Sequence, residues 1–146
     1  MDPRAVPSPF QSLRRYRIPA ESILLKDLST GLILYEFGAD RRISPASLTK
    51  IMTALVILEY GRLDDFVTVN REAAAARKTH LRLRPGQVFR LEDLLRAMLM
   101  TSANDACLAA ALHVGGSQDR FVDLMNEKAK ALGLVNTRFA NACGFR

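Results

Sequence analysis

The sequence predicts an α+β fold, because two strand-like runs near the start of its 146 residues are followed mostly by helical patterns. The runs at 23–26 and 32–37 are separated by Asp, Ser, Thr and Gly residues, which is the composition of a β-hairpin turn. A lone two-stranded hairpin is marginal unless further strands or a helix pack on it. We therefore expect an N-terminal β-hairpin and a helical half, with the C-terminal strands of the sheet missing from these residues.

The helix predicted after the hairpin has signals at both ends. Ser44 is a plausible N-cap, Pro45 suits the first helical position, and Gly61 ends the pattern. Smaller elements follow, and turn residues separate them: a short strand at 66–70, a short helix at 71–76 and a second hairpin at 81–90 around Pro85-Gly86. Three helical segments complete the chain, at 91–100, 105–114 and 117–132.

The composition is that of a globular domain, with 49% hydrophobic and 25% charged residues. No apolar run approaches the roughly 20 residues that a membrane-spanning helix needs. Residues 1–20 contain four arginines and four prolines and are predicted to form a poorly ordered basic tail, with the domain at 21–146. This tail lacks the apolar core of a secretory signal, so the sequence shows no export route.

The charged and metal-binding side chains exclude some classes of function. The net charge is +6, but the arginines are scattered along the chain rather than concentrated on one face, so a nucleic-acid partner is not predicted. His80 and His113 form no ligand pattern, and neither a metal nor a cofactor is expected. Cys107 and Cys143 allow one disulfide at most, and the apolar surroundings of Cys107 favour a buried free thiol.

The segment "SPASLTKIMTALVILEY", residues 44–60, carries the first candidate site. Ser47 and Lys50 are three residues apart and would share one face of a helix. The positive end of the helix and an apolar environment both favour the neutral form of Lys50. A neutral amine beside a hydroxyl can act as a general base and activate the serine as a nucleophile. The alternative is that Ser47 is an ordinary first-turn residue and that Lys50 extends to solvent.

A second candidate lies in "TSAND", residues 101–105, between two apolar helical segments. Ser102 and Asn104 would place a hydroxyl that can relay a proton beside an amide that can hold a substrate carbonyl. The alternative is a capping box, in which Ser102 and Asp105 together begin the next helix. Ser-x-x-K followed by a Ser-x-Asn element is a combination typical of β-lactamases and penicillin-binding proteins.

From about residue 21 to residue 145 the chain resembles the serine-type D-alanyl-D-alanine carboxypeptidases, which are low-molecular-mass penicillin-binding proteins with a β-lactamase/transpeptidase-like fold. The resemblance rests on "ESILLKDLSTGLILYEFGADRRISPASLTKIMTAL", on "LRLRPGQVFRLEDLLRAMLMTSANDACLAAALHVGGS" and on "FVDLMNEKAKALGLVNTRFANACGF". It implies that Ser47 attacks the D-Ala-D-Ala bond of a peptidoglycan peptide. Lys50 would be the base, Ser102 the proton relay and Asn104 the substrate-binding amide. It also implies inhibition by β-lactams and a periplasmic or extracytoplasmic location.

The chain departs from the family pattern at the third motif. The family has a Lys-Thr-Gly strand after the Ser-x-Asn element, whereas the single Lys-Thr pair here is Lys78-Thr79, which precedes Ser102 and is followed by His80. Cys143 also occupies a position where the family often has histidine. The sequence is therefore expected to be a truncated domain that is inactive or a poor carboxypeptidase alone and that associates with a missing C-terminal fragment. A β-lactamase-like hydrolase and a non-catalytic cell-wall or partner-binding module are the alternatives.

Overall fold

The computed structural model describes residues 18–145, so most of the predicted tail at 1–20 lies outside the described residues. The chain divides into two compact units, one ending at Ser44 and the other beginning at Pro45. The first unit contains the predicted hairpin, in which β1 (Ile23–Lys26) pairs antiparallel with β2 (Ile33–Phe37). The turn is closed by hydrogen bonds from the Asp27 N–H to the Leu32 carbonyl and from the Gly31 N–H to the Asp27 carbonyl.

The second unit begins with the segment that carries Ser47. A short 3₁₀-helix spans Ala46–Leu48, and α1 follows at Thr49–Tyr60. The predicted start at Ser44 is wrong, because the α-helix begins only at Thr49, after a 3₁₀ turn whose first residue, Ala46, has a positive φ of 48° that an α-helix does not allow. The predicted end at Gly61 is confirmed, and the Gly61 N–H donates to the carbonyl of Ile57.

A small second sheet follows α1. β3 (Phe66–Thr68) pairs antiparallel with β4 (Val88–Arg90), and α2 (Arg71–Ala74) lies between them in the chain. The hairpin predicted at 81–90 is therefore wrong in its first strand. The backbone N–H groups of Leu81 and Leu83, which a strand would use for pairing, donate instead to the carboxylate of Asp105.

Three longer helices complete the second unit, and their positions agree with the sequence patterns: α3 (Leu91–Thr101), α4 (Asn104–Gly115) and α5 (Gln118–Ala131). α4 lies at the centre and packs against α1, α2, α3 and α5. Its residues from Asn104 to Ala111 are all buried, which explains why its sequence is apolar on every side. The capping box that was the alternative role of Ser102 is absent, because Ser102 is the C-cap of α3 and Ala103 is the N-cap of α4.

The prediction of a free thiol at Cys107 is wrong. Cys107, on α4, and Cys143, near the end of the described chain, form a disulfide with their Cα atoms 6.0 Å apart. Both residues are buried, as the apolar surroundings of Cys107 had indicated. The sequence did not reveal the pairing because 36 residues separate the two cysteines, and only the tertiary packing brings them together.

One side of α1 stays open to solvent. Ile51 is 58% exposed and Leu58 is 55% exposed, and Leu55 lies between them on the same side. Leu99 and Met100, at the end of α3, are also exposed. Among the residues that the structure describes, no helix is long and apolar enough to cross a membrane.

Candidate active site

The two serines predicted to carry chemistry lie side by side. Ser47 is in the 3₁₀-helix before α1, and Ser102 is at the junction between α3 and α4. The hydroxyl of Ser102 donates a hydrogen bond of 2.8 Å to Oγ of Ser47. The packing of α1 against α3 and α4 therefore joins two motifs that are 55 residues apart in the sequence.

The backbone is unusual at Ser102 and at the residue before Ser47. Ser102 has a φ of 58°, and Ala46, which directly precedes Ser47, has a φ of 48°. Non-glycine residues rarely adopt this left-handed conformation, which costs about 1–3 kcal/mol and is concentrated at functional sites. The rest of the fold therefore maintains a strained backbone at the two positions that aim the serine hydroxyls.

Lys50 lies beneath the serine pair and is only 3% exposed, so it does not extend to solvent as the alternative interpretation proposed. Its Nζ donates to Oδ1 of Asn104 and to the carbonyl of Cys143, each at 2.8 Å, and lies 3.5 Å from Oγ of Ser47. Burial removes water from the ammonium group and lowers the pKa of Lys50. The neutral amine is therefore favoured more than in an exposed lysine.

Asn104 connects the lysine to a loop at 75–83. Its Oδ1 accepts from Lys50, its Nδ2 donates to the carbonyl of Arg77 at 2.9 Å, and its backbone N–H donates to the carbonyl of Thr79 at 2.8 Å. A side-chain amide has two N–H donors, so a second donor of Nδ2 remains available for another acceptor. Thr79 itself contributes a backbone carbonyl that supports Asn104.

The segment Asn141–Gly144 closes the far side of the lysine. The carbonyl of Cys143 accepts from Lys50, and the hydroxyl of Thr53, on α1, donates to the carbonyl of Ala142. The side chain of Asn141 holds the turn by accepting from the backbone N–H groups of Cys143 and Gly144 at 3.1 and 2.7 Å. This segment therefore contacts the same helix that carries Lys50.

Gly144 packs against the backbone that leads to Ser47. A Cβ at this position would overlap the carbonyl oxygen of Ala46 and lie 2.8 Å from Oγ1 of Thr49. Gly144 also has a positive φ of 74°. A side chain is therefore excluded here both by the backbone conformation and by the lack of space.

The loop at 75–83 is held in place by Asp105, which is 1% exposed. Its carboxylate accepts from the N–H groups of Leu81 and Leu83 and from the N–H of Ala106, at 2.9–3.1 Å. Two residues of this loop, Lys78 and Arg82, have positive φ values. The carboxylate thus fixes an irregular loop whose carbonyls in turn hold Asn104.

An open cavity of about 430 Å³ lies beside the serine pair. Its lining combines the predicted site with an apolar wall, formed by Pro45, Ser47, Leu48, Lys50, Ile51, Met98, Leu99 and Ser102. A cavity with mostly apolar walls and a few convergent polar groups is typical of a site that binds small molecules or peptide ends.

The structure brings all four predicted residues together and adds Thr53, Asp105 and Cys143, to which the sequence assigned no role in the site. Thr53 and Asp105 are buried polar residues in apolar helices, and this was the available signal. The role of Cys143 depends on its backbone carbonyl, which its side chain does not reveal.

Comparisons with known proteins define the class of the fold. It matches the D-alanyl-D-alanine carboxypeptidase DacD from Francisella tularensis with a TM-score of 0.82 and 34% identity, over 90% of this chain and 33% of that chain. It matches penicillin binding protein 5 from Haemophilus influenzae with a TM-score of 0.80 and 33% identity, over 89% of this chain and 40% of that chain. The predicted α+β, β-lactamase/transpeptidase-like fold class is therefore confirmed.

The family follows from the sequence comparisons. A family model described as D-alanyl-D-alanine carboxypeptidase matches residues 9–146, and the chain belongs to this family of serine peptidases. It is 39% identical over 145 residues to the D-alanyl-D-alanine carboxypeptidase DacC of Escherichia coli (strain K12), covering 92% of this chain and 36% of DacC. Bacillus subtilis (strain 168) DacF is 38% identical, with 86% of this chain and 33% of DacF covered. The chain thus spans about a third of the length of these relatives.

Proposed function

We propose that the chain acts as a serine-type D-Ala-D-Ala carboxypeptidase on peptidoglycan stem peptides, through an acyl-enzyme on Ser47. The observation that carries the proposal is the cluster at Ser47, whose Oγ lies 2.8 Å from Oγ of Ser102 and 3.5 Å from the buried Nζ of Lys50. Membership of the carboxypeptidase family supports the substrate class.

In the proposed reaction, neutral Lys50 accepts the proton of the Ser47 hydroxyl while Oγ attacks the carbonyl carbon of the penultimate D-alanine. The C–N bond of the tetrahedral intermediate then breaks. The proton returns through the Ser102 hydroxyl to the amine of the departing D-alanine. Water hydrolyses the resulting ester, releases the shortened peptide and regenerates Ser47. The short distance between the two hydroxyls supports this relay.

Asn104 would then bind the acyl-side amide of the substrate with its remaining Nδ2 donor. Its other polar groups are occupied by Lys50, Arg77 and Thr79, so the amide is already oriented before the substrate binds. Such preorganisation reduces the cost of aligning the substrate with Ser47.

The resemblance to the D-alanyl-D-alanine carboxypeptidases also implies a role for a Lys-Thr-Gly strand. This strand would supply a backbone donor of the oxyanion hole and groups that bind the substrate's terminal carboxylate. Within the 146 residues, the one Lys-Thr pair is followed by His80. One oxyanion donor contributes about 2.7–4 kcal/mol and one hydrogen bond to a charged group about 1.5–3 kcal/mol. We therefore propose that the 146-residue chain alone releases D-alanine on the order of 10³ to 10⁵ more slowly than with a polypeptide that carries such a strand.

The exposed apolar side of α1 gives such a polypeptide a surface on which to pack. We further propose a periplasmic or otherwise extracytoplasmic location. The Cys107–Cys143 disulfide supports it, because disulfides persist mainly in oxidising compartments.

The direct test is to incubate the folded chain with a penicillin, digest it and locate the adduct by mass spectrometry. We expect the adduct on Ser47, with none in a Ser47→Ala variant of equal helical content. An adduct on Ser102 or on a lysine would overturn the assignment. Rapid loss of the Ser47 adduct by hydrolysis would instead favour the β-lactamase-like alternative, and complete absence of acylation would favour a binding module.

A second test separates the charge of Lys50 from its basicity. Arginine stays protonated at any accessible pH, so Lys50→Arg keeps the cation and removes the base. We expect acylation to fall by about 10² to 10⁴, the usual contribution of a general base, with little change in the circular dichroism spectrum. Acylation at the wild-type rate in this variant would exclude the base role.

The pH dependence of acylation gives an independent check. Desolvation lowers the pKa of Lys50, so the neutral amine becomes populated at a lower pH than in an exposed lysine. The acylation rate of the wild-type chain should therefore rise with pH and level off below the ordinary pKa of lysine. A rate that rises only through that ordinary value would contradict a desolvated base.

A further inference from the structure

The Cys107–Cys143 disulfide joins the two segments that hold the buried lysine. Lys50 has three N–H donors when charged, and two of its acceptors are Oδ1 of Asn104 and the carbonyl of Cys143. Asn104 begins α4, and Cys107 lies three residues later on the same helix. The disulfide therefore links α4, which provides the Asn104 acceptor, to Cys143, whose carbonyl is the other acceptor.

The segment that carries Cys143 is defined here as residues 132–145 and has little regular structure. Residues 132–145 contain no helix or strand, and the turn at Asn141–Gly144 is held by local bonds to the Asn141 side chain. Its hydrogen bonds to helix side chains are those from Thr53 to the Ala142 carbonyl and from Lys50 to the Cys143 carbonyl, and a pair between Asn126 on α5 and the backbone of Phe139. Among the described residues, the disulfide is the one covalent cross-link between this segment and α4, so its loss should loosen the segment first.

We propose that Cys107 and Cys143 are positioning residues whose disulfide holds the Cys143 carbonyl against Nζ of Lys50, and that reducing this bond releases the lysine and slows acylation of Ser47. The reduction consumes two electrons and two protons from a small dithiol, which becomes a cyclic disulfide while Cys107 and Cys143 become thiols. The effect on acylation rests on the proposed function, whereas the effect on Lys50 does not.

The effect on the lysine is measured by limited acetylation with acetic anhydride, followed by peptide mass spectrometry. Lys50 is 3% exposed in the disulfide form and should react slowly, whereas the exposed Lys130 serves as an internal standard. Reduction with dithiothreitol should raise the labelling of Lys50 relative to Lys130 by about an order of magnitude. Because both sulfurs are buried, a Cys107→Ala/Cys143→Ala variant provides the same comparison without depending on access of the reductant.

Acylation by a penicillin is measured on the same samples. The Ser47 adduct should form several-fold more slowly in the reduced chain and in the double alanine variant, and reoxidation should restore the rate in the wild-type chain alone. If no form is acylated but Lys50 labelling still rises on reduction, the role of the disulfide in holding Lys50 is supported and the proposed function fails.

A merely structural role is distinguished by hydrogen exchange. The amides of the core helix α5, for example at Phe121 and Met125, should exchange at the same rate in the disulfide and reduced forms. Equal exchange increases in α5 and around Lys50 would mean general loosening and would overturn the proposal. Unchanged Lys50 labelling in both the reduced chain and the double variant would overturn it too, as would two free thiols in the purified protein.

Discussion

Asp105 and Asp27 make similar hydrogen bonds in very different surroundings. Asp105 is buried on α4 and accepts from three backbone N–H groups, those of Leu81, Leu83 and Ala106. Asp27 lies in the exposed hairpin turn and accepts from the hydroxyls of Ser29 and Thr30 and from the Thr30 N–H. Each carboxylate organises a short irregular segment. The consequences differ because water can replace the partners of Asp27 but cannot reach Asp105.

The same contrast separates Gly144 from Gly31. Both have a positive φ, 74° and 73° respectively. A Cβ at Gly144 would overlap the Ala46 carbonyl, whereas a Cβ at Gly31 would meet nothing closer than Cε of Lys26 at 3.9 Å. At Gly31 only the backbone conformation requires glycine. At Gly144 both the backbone conformation and the lack of space for a side chain require it.

The largest effect is expected from Gly144→Ala. A left-handed conformation costs a residue with a Cβ about 1–2 kcal/mol, and overpacking adds about 1–3 kcal/mol, so the free energy of unfolding should fall by about 2–5 kcal/mol. The displaced Ala46 backbone should also reduce acylation of Ser47. Urea denaturation and penicillin labelling measure the two effects.

Gly31→Ala is the matched control for this change, because it imposes the conformational cost without the overlap. It should cost about 1–2 kcal/mol at most and leave acylation unchanged. Equal losses in the two alanine variants would show that close packing at Gly144 has no additional effect.

A smaller effect is expected from Asp105→Ala. The change leaves the N–H groups of Leu81 and Leu83 without their acceptor, and hydrogen bonds to a charged group contribute about 1.5–3 kcal/mol each. Partial replacement by water in the loosened loop should limit the loss of stability to about 2–4 kcal/mol. Asp105→Asn keeps one acceptor oxygen and should lose less. A loss below about 0.5 kcal/mol for the alanine variant would contradict the anchoring role.

The smallest effect is expected from Asp27→Ala, which should change local protection in the turn more than global stability. Hydrogen bonds from the Thr30 and Ser29 hydroxyls lower the pKa of Asp27 to about 2. Because the pKa is lowered, the hydrogen bonds of the ionised Asp27 carboxylate stabilise the turn fully above the ordinary pKa of aspartate. This stabilisation is lost as the pH falls through about 2. Hydrogen exchange at the Thr30 amide measures it. Protection that is unchanged in Asp27→Ala would show that the carboxylate does not order the turn.

Most helices could be predicted from the sequence because their signals are local. Gly61 was predicted to end α1 and does so, and the helical pattern predicted at 117–132 corresponds to α5. The hairpin of β1 and β2 could likewise be predicted from its turn residues. The second hairpin was wrong because the N–H groups of Leu81 and Leu83 bond to Asp105, more than 20 residues away. Local propensity gives no information about a distant carboxylate that accepts the hydrogen bonds a strand would need.

The four predicted site residues could be found because Ser47 with Lys50, and Ser102 with Asn104, are each a short motif. The spacing within each motif is local, and resemblance to a family connected the two. Their roles stay predictions that the adduct and variant experiments test. The support around them was not found, since Thr53, Asp105 and the Cys143 carbonyl matter only through contacts with distant segments.

The sequence by itself determined which residues form helices, which polar groups are candidates for chemistry and to which family they are similar. Hydrophobic periodicity, capping and short motifs act over a few residues, so one stretch of chain is enough to read them. Tertiary structure alone decided that Cys107 bonds to Cys143, that Ser102 is the left-handed C-cap of α3 rather than the N-cap of α4, and that Lys50 is buried. Each of these depends on packing between segments far apart in the chain, where the free energy of burial and of close contact outweighs local preference.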